Sequence, residues 1–406
     1  MDRMFTNKQL NQAKEILSYA KEHTEFYKKA LEHTDIAALN YSDFQEIPIL
    51  TKEKLIFDQQ EFVSKSVDYS SVMYEYTSGT TGEPFSIPRT KDDKLRTSIT
   101  LLKERQKRIG RFPGLKFATF FAGSSEVVTE AEEGWLNITV KDLNEESMNR
   151  IVEKLIDYKP DFLQGSSRVL TYLAEFILTN KIDMKQSQIK MIENRAEGLL
   201  STQKELLEQA FMCPVANMYG LRESWGVAYS CDFNHLHIMN DNVFVEILDE
   251  FGDFAGFDQT GHIHITCFHS KAMPLIRYDT GDIGMLSKKQ CACGNPSFIL
   301  ELSGYRKLDM IQTPAGFSHP SILKYLNDYF IKNKFGIIQF QVVQEGLNAF
   351  TLRCHSLADL HESQVRQLKD KFQELLGYEA SVKVIQTNHF VLKEFSSKFK
   401  WFVSNC

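Results

Sequence analysis

Apolar positions in residues 8–32 recur at helical spacing, with Leu10, Ala13, Leu17 and Ala20 on one face, and predict a long amphipathic helix. The run Ile47-Pro48-Ile49-Leu50-Thr51-Lys52 then breaks into a turn before the next helix. A charged helix is predicted over 91–109, and the apolar, aromatic run from Leu115 to Ala122, closed by Gly123-Ser124-Ser125, reads as a buried strand. A helix over 145–157, a short strand opening into a turn over 159–167, a strand over 189–194 and a helix over 201–211 continue the alternation. Such alternation predicts an α/β layered fold with a largely parallel sheet. Ligands of such sheets gather at the carboxyl ends of the strands, where Gly123, Gly165, Gly198 and Gly220 fall.

From Phe244 the pattern changes to period two. Phe244–Leu248 and Gly261–Phe268 read as alternating strands joined by a Gly/Asp-rich turn, which predicts a small antiparallel, barrel-like portion within the large domain. His262 and His264 share one face of the second strand, either a solvent-facing strand face or a metal pair. Beyond about residue 310, a hairpin (337–344 and 349–354), a helix carrying Val365, Leu368, Phe372 and Leu375 with Gly377 past its end, and a strand over 381–385 form a compact α+β unit. The expected division is therefore a large N-terminal domain, 1–308, and a small mobile C-terminal lid, 309–406.

Length supports that division, because 406 residues exceed what one core usually holds. A net charge of −6 with both signs interspersed offers no basic stripe to nucleic acid and no polybasic patch to anionic lipid. The first residues lack the apolar core of a secretion signal, and no run of about 18 apolar residues occurs. A cytoplasmic protein without membrane insertion is expected. Seven cysteines in so long a chain suggest reduced thiols with a metal option more than a disulfide framework.

Four stretches carry chemistry. Tyr76-Thr77-Ser78-Gly79-Thr80-Thr81-Gly82-Glu83-Pro84 makes neither a good helix nor a good strand, but its N–H groups can turn toward an anion as a phosphate cradle. It fits neither the dinucleotide fingerprint nor the common P-loop. Asn217-Met218-Tyr219-Gly220-Leu221-Arg222-Glu223 offers an aromatic face to stack on adenine and a carboxylate to hold Mg²⁺. Thr280-Gly281-Asp282 presents a carboxylate able to accept from both hydroxyls of a ribose, and Arg306 can donate to ribose or phosphate. Cys231, followed by His235 and His237, and then Cys291 and Cys293 supply thiolates and an imidazole in the proportions of a closed tetrahedral Zn²⁺ site; reduced, unliganded thiols are the other reading.

Taken in order, Ser78–Gly82, Tyr219–Glu223 and Leu275–Asp282 resemble the adenylate-forming (acyl-CoA synthetase-like) superfamily, in the phenylacetate–CoA ligase-like branch that includes capsule-biosynthesis homologues. The resemblance runs from about 40 to 400. It implies ATP- and Mg²⁺-dependent activation of a carboxylic acid as an acyl-adenylate, then transfer to a thiol of CoA or a carrier protein. Transfer to an amine, as in an amide ligase, or a non-catalytic nucleotide-binding homologue are the alternatives. Carried over by position, Thr77, Ser78, Gly79, Thr80, Thr81 and Gly82 hold phosphates; Ala196, Glu197, Tyr219 and Gly220 line the adenine; Asp282 and Arg306 take the ribose. Glu223 binds Mg²⁺, Lys398 in Ser396-Ser397-Lys398 resembles the catalytic lysine, and Thr80 joins them at the reacting phosphates. Similar cysteines and a histidine in that branch favour structural Zn²⁺ on Cys231, His237, Cys291 and Cys293. Phe120, Phe121, Trp225 and the Gly165–Ser167 turn are either acyl-pocket walls or core. The chain departs from the pattern at Phe85, where many members carry lysine, at Tyr305, inserted between a glycine and an arginine, and at Ser397 in place of glycine.

Overall fold

A computed structural model describes residues 4–77, 85–110, 115–122, 128–132, 134–140, 144–306, 311–314, 316–318, 322–387 and 399–406. Backbone proximity groups the chain into two compact units, each assembled from two stretches: Met1–Arg111 with Met218–Leu302, and Phe112–Asn217 with Ser303–Cys406.

In the first unit, the helix expected over 8–32 is divided into Asn7–His23 and Glu25–Ala30. Thr24 is the cause. Held extended at φ −126°, it donates its N–H and its hydroxyl to the Ala20 carbonyl at 3.0 and 2.9 Å, closing one helix, while its Oγ1 accepts from the Tyr27 N–H at 3.3 Å and opens the next. Helix Lys91–Ile109 spans the predicted residues, opened by a reciprocal Thr90–Asp93 capping box and followed by Gly110 at φ 77°. Strands follow in the spatial order Val243–Leu248, Gly261–Cys267, Tyr278–Ser287, Ile299–Arg306, Leu236–Ile238, Trp225–Ser230 and the end of Val215–Leu221. The two strands predicted beyond Phe244 pair antiparallel, Val245 opposite Ile265. Leu17, Tyr27, Phe44 and Phe62 from the helices and Val245, Ile263, Ile265 and Tyr278 from the sheet share one apolar core. The Ile47–Leu50 run belongs to the same unit: Leu50 bridges Tyr278 in parallel, donating to Arg277 O at 3.1 Å and accepting from Asp279 N–H at 2.9 Å.

The second unit holds the parallel sheet expected from the alternation. The start of Val215–Leu221, then Met191–Asn194, Phe162–Gly165, Phe117–Ala122 and Trp135–Val140 run parallel, with Val128–Glu132 antiparallel at the outer edge. Helices Glu145–Tyr158, Ser167–Thr179 and Ser201–Phe211 cover it, and Leu136, Ile151, Leu163, Leu170, Leu206 and Val215 share a core. Helix Ser167–Thr179 follows the strand and turn expected over 159–167, in a stretch for which the sequence reading predicted no element. Downstream, the hairpin Ile337–Gly346 and Ala349–Ser356 is flanked by Ser381–Gln386 and Phe402–Ser404, each parallel to its neighbour, with helices Ile322–Lys332 and Glu362–Leu376. The architecture is mixed α/β. Among the described residues, no helix is long and apolar enough to cross a membrane.

Candidate active site

The segment carrying Glu223 is a tight reversal between Val215–Leu221 and Trp225–Ser230. Only glycine fits at 220, because a Cβ there would lie 1.7 Å from the Trp225 carbonyl oxygen. Trp225 itself adopts φ 63°, a left-handed conformation that bulky residues rarely tolerate. Two side chains hold this backbone. Arg89, buried, donates to the Glu223 carbonyl at 3.2 Å and to Thr97 Oγ1 at 3.1 Å, and Asn242 donates to the carbonyls of Ser224 and Gly226. Arg89 and Lys94 also approach the Trp225 ring, at 5.2 and 5.3 Å from its centroid.

Asp282 lies within the strand Tyr278–Ser287, at a bulge. His264 pairs with Asp279 but His262 pairs with Ile283, so 280–282 leave the ladder. A bulge of this kind re-aims a side chain, and Gly281, at φ 72°, permits it. Thr280 fixes the excursion, its Oγ1 donating to Ile263 O at 2.9 Å and accepting from Asp282 N–H at 3.1 Å. The two segments are then joined crosswise. Tyr219 Oη donates to Asp282 Oδ2 at 2.8 Å, and Tyr278 Oη donates to Glu223 Oε1 at 3.1 Å. Glu223 and Tyr278 are both buried.

In the second unit, Ala196 and Glu197 form the turn after Met191–Asn194, with Ala196 at φ 70°. Asn194 Nδ2 braces it, donating to Glu197 O at 2.7 Å and to Asn217 Oδ1 at 2.8 Å. The Glu197 carboxylate accepts from Arg168 N–H at 3.3 Å and Ser167 Oγ at 3.4 Å, pairs with the Arg168 guanidinium at 3.4 Å, and accepts from Phe399 N–H at 3.2 Å. Ser166, the N-cap of Ser167–Thr179, makes no side-chain cap, so a distant glutamate serves the helix start instead. A buried polar ladder, Thr119 to Gln164 to Glu193 to Arg195, crosses neighbouring strands with separations of 3.1, 3.2 and 2.6 Å. Sequence reading missed this ladder, along with Arg89, Arg168 and the bond from Tyr278 to Glu223, because most of these contacts join partners far apart in the chain.

The four ligands expected for zinc come together in the first unit. One donor atom from each of Cys231, His237, Cys291 and Cys293 lies within 4.8 Å of all the others. Cys231 Sγ is 3.6 Å from Cys291 Sγ, and His237 Nε2 is 3.3 Å from Cys293 Sγ. His237 Nδ1 faces the Ser297 carbonyl at 3.0 Å, which fixes the tautomer that leaves Nε2 for a metal. Two tight turns make the cluster: Asn234 at φ 62° after Cys231, and Gly294 at φ 76° after Cys293. His235 faces Cys291 Sγ with Nδ1 at 3.1 Å. His264 is buried, not on a solvent-facing surface; Nδ1 faces its neighbour's carbonyl, and burial holds its pKa below the ordinary 6.5.

Other expected site residues lie outside the described residues: Ser78, Gly79, Thr80, Thr81, Gly82 and Lys398. Thr77 and Arg306 end the strands Met73–Thr77 and Ile299–Arg306, and their side chains also lie outside what is described. Phe85, paired with Thr77 across the hairpin, is buried in the apolar core. Of the acyl-pocket candidates, Phe120 packs on the second unit's core and Phe121 is exposed.

No family model matches the chain. It is 24% identical over 294 residues to phenylacetate–coenzyme A ligase of Thermus thermophilus, covering 69% of this chain and 65% of that protein. It is 24% identical over 284 residues to protein CapK of Staphylococcus aureus, covering 66% and 60%. The chain thus spans slightly under two thirds of these relatives' length. Among solved structures, 2-hydroxyisobutyryl-CoA ligase in complex with 2-HIB-AMP matches with a TM-score of 0.76 at 18% identity, over 98% of this chain and 89% of that one. The chain is thus similar in sequence to phenylacetate–coenzyme A ligase and CapK, and it shares the fold of 2-hydroxyisobutyryl-CoA ligase.

Proposed function

We propose that the chain is an ATP-dependent ligase that converts a carboxylic acid to its acyl-adenylate, releases pyrophosphate, and passes the acyl group to a thiol, that of CoA or a carrier protein. The observation that carries this reading is the crossed pair Tyr219–Asp282 and Tyr278–Glu223. ATP needs one fixed acid for its ribose and another for its metal, and here each acid is held by a tyrosine from the other's segment. Names among the relatives supply the thiol acceptor.

In this reading Asp282, with Arg306, takes the ribose hydroxyls, and Tyr219 ties the ring that stacks on adenine to that same carboxylate. Ala196 and Glu197 line the adenine through main chain, since the Glu197 carboxylate is engaged with Arg168 and Phe399. Residues 77–82 steady the phosphates. The buried Glu223 carboxylate, set by one phenol, fits a hard cation. Bound Mg²⁺ would neutralise phosphate charge. The substrate carboxylate attacks the α-phosphorus, and Lys398 pairs with the oxygens between which charge shifts. Cys231, His237, Cys291 and Cys293 fit Zn²⁺ in a closed set of three thiolates and one imidazole, a structural site without an open position.

Acid-dependent exchange of labelled pyrophosphate into ATP tests the reading, run over aryl, arylacetic, fatty and amino acids. At least one class should support exchange. Wild-type protein that binds ATP yet exchanges with none would make the chain a non-catalytic nucleotide-binding homologue.

A further inference from the structure

Tyr278 is a core residue by burial, 2% exposed, and its ring packs with the apolar cluster of the first unit. Phenylalanine would fill that space equally well. A buried phenol needs a polar partner, and this one spends its hydroxyl on Glu223, 55 residues earlier in the chain.

The backbone around Tyr278 is pinned to an unusual degree. Arg277 sits at φ 49°, strained for a side chain of its size. Its buried guanidinium donates to Glu246 at 3.1 Å, to Ile47 O at 2.8 Å and to Gln45 O. On either side of Tyr278, the Leu50 bridge takes the Arg277 carbonyl and the Asp279 N–H. On the other flank, Tyr278 pairs with Ile265. The segment that carries Glu223 is braced as well, by Arg89 and Asn242, which donate to its carbonyls. Those braces fix the main chain and leave the rotamer of Glu223 to be set by something else.

From this geometry we infer that Tyr278 is a positioning residue for the nucleotide-bound metal: its hydroxyl fixes the Glu223 carboxylate in the orientation that meets the cation. The inference rests on the reading of Glu223 as the Mg²⁺ ligand. Holding a carboxylate through one oxygen limits its rotation about the terminal bond, so the acid meets the cation already ordered. Losing one hydrogen bond of this kind should weaken metal binding by roughly three- to tenfold.

The test uses the full chain and Mn²⁺ with ATP, following free Mn²⁺ by electron paramagnetic resonance. Tyr278→Phe should weaken Mn²⁺·ATP binding by that factor while leaving the binding of metal-free ATP unchanged. A loss of packing alone would lower both. In a Glu223→Gln background, Tyr278→Phe should add nothing, because the two changes remove one interaction. Glu223→Asp, which withdraws the carboxylate from the phenol but keeps its charge, provides a second measurement and should also weaken Mn²⁺·ATP binding. Wild-type affinity in Tyr278→Phe or in Glu223→Asp, with Glu223→Gln impaired, overturns the positioning role and leaves the metal role of Glu223 intact. Wild-type affinity in Glu223→Gln overturns that metal role itself.

Discussion

At the scale of single residues, the site depends on backbone conformations that few side chains could occupy. Gly220 and Trp225 illustrate this as a pair. The glycine makes room for the Trp225 carbonyl, and the tryptophan accepts a left-handed φ of 63° so that the reversal can present Glu223. Gly220→Ala forces a Cβ into backbone at 1.7 Å, where no flexible side chain can yield. It should destabilise the protein by about 3 kcal/mol or more, measured by urea denaturation. A loss below about 1 kcal/mol would mean that the reversal rearranges freely, and that Glu223 is not held as described.

Elements show the same dependence at longer range. Strand Leu236–Ile238 is only three residues long, yet it carries His237 between Tyr229 and Ile299. A bound Zn²⁺ would tie that short strand to the turns at Cys231 and Cys291–Cys293, and so to the ends of two longer strands. Purified protein should contain about one zinc per chain, and Cys291→Ser should lower its melting temperature without altering the Mg²⁺ dependence of pyrophosphate exchange. Elemental analysis finding no zinc in protein prepared without chelators would dispose of the site. This cluster was legible in the sequence because ligand chemistry is local to each residue type. Helix Lys91–Ile109 was legible as a long charged stretch, and the structure adds the Thr90–Asp93 cap that opens it. What escaped were features set by distant partners. Thr24 divides a helix because one hydroxyl serves both ends. Period two put His262 and His264 on one face but could not say what covers that face, and His264 is buried. Tyr278 looked like part of a ribose motif, and its bond to Glu223 exists only once the sheet is assembled.

For the molecule as a whole, the chain passes between its two units at 111, 217 and 302, so neither unit is a continuous stretch. Residues after Ser303 group with Phe112–Asn217, and particular contacts carry that grouping. Thr202 Oγ1 donates to Ile337 O at 3.0 Å, His355 Nε2 meets the Glu175 carboxylate at 2.7 Å, and Ile338 joins the apolar core of the parallel sheet. The same C-terminal stretch also has an interior of its own, in which Phe340, Val342, Phe350, Leu352, Leu368 and Phe372 are buried between its four-stranded sheet and its helices. We propose that this interior suffices, and that 309–406 is a domain able to fold alone. The stretch is large enough to bury most of its apolar surface, and its sheet closes without a strand from elsewhere. Expressed by itself, 309–406 should give a single cooperative thermal transition followed by circular dichroism. Its stability should fall below that of the full chain, because Ile338 loses its cover and His355 loses Glu175. A fragment that melts without cooperativity would show that the stretch folds only against Phe112–Asn217, and the boundary near 308 would then divide a single folding unit.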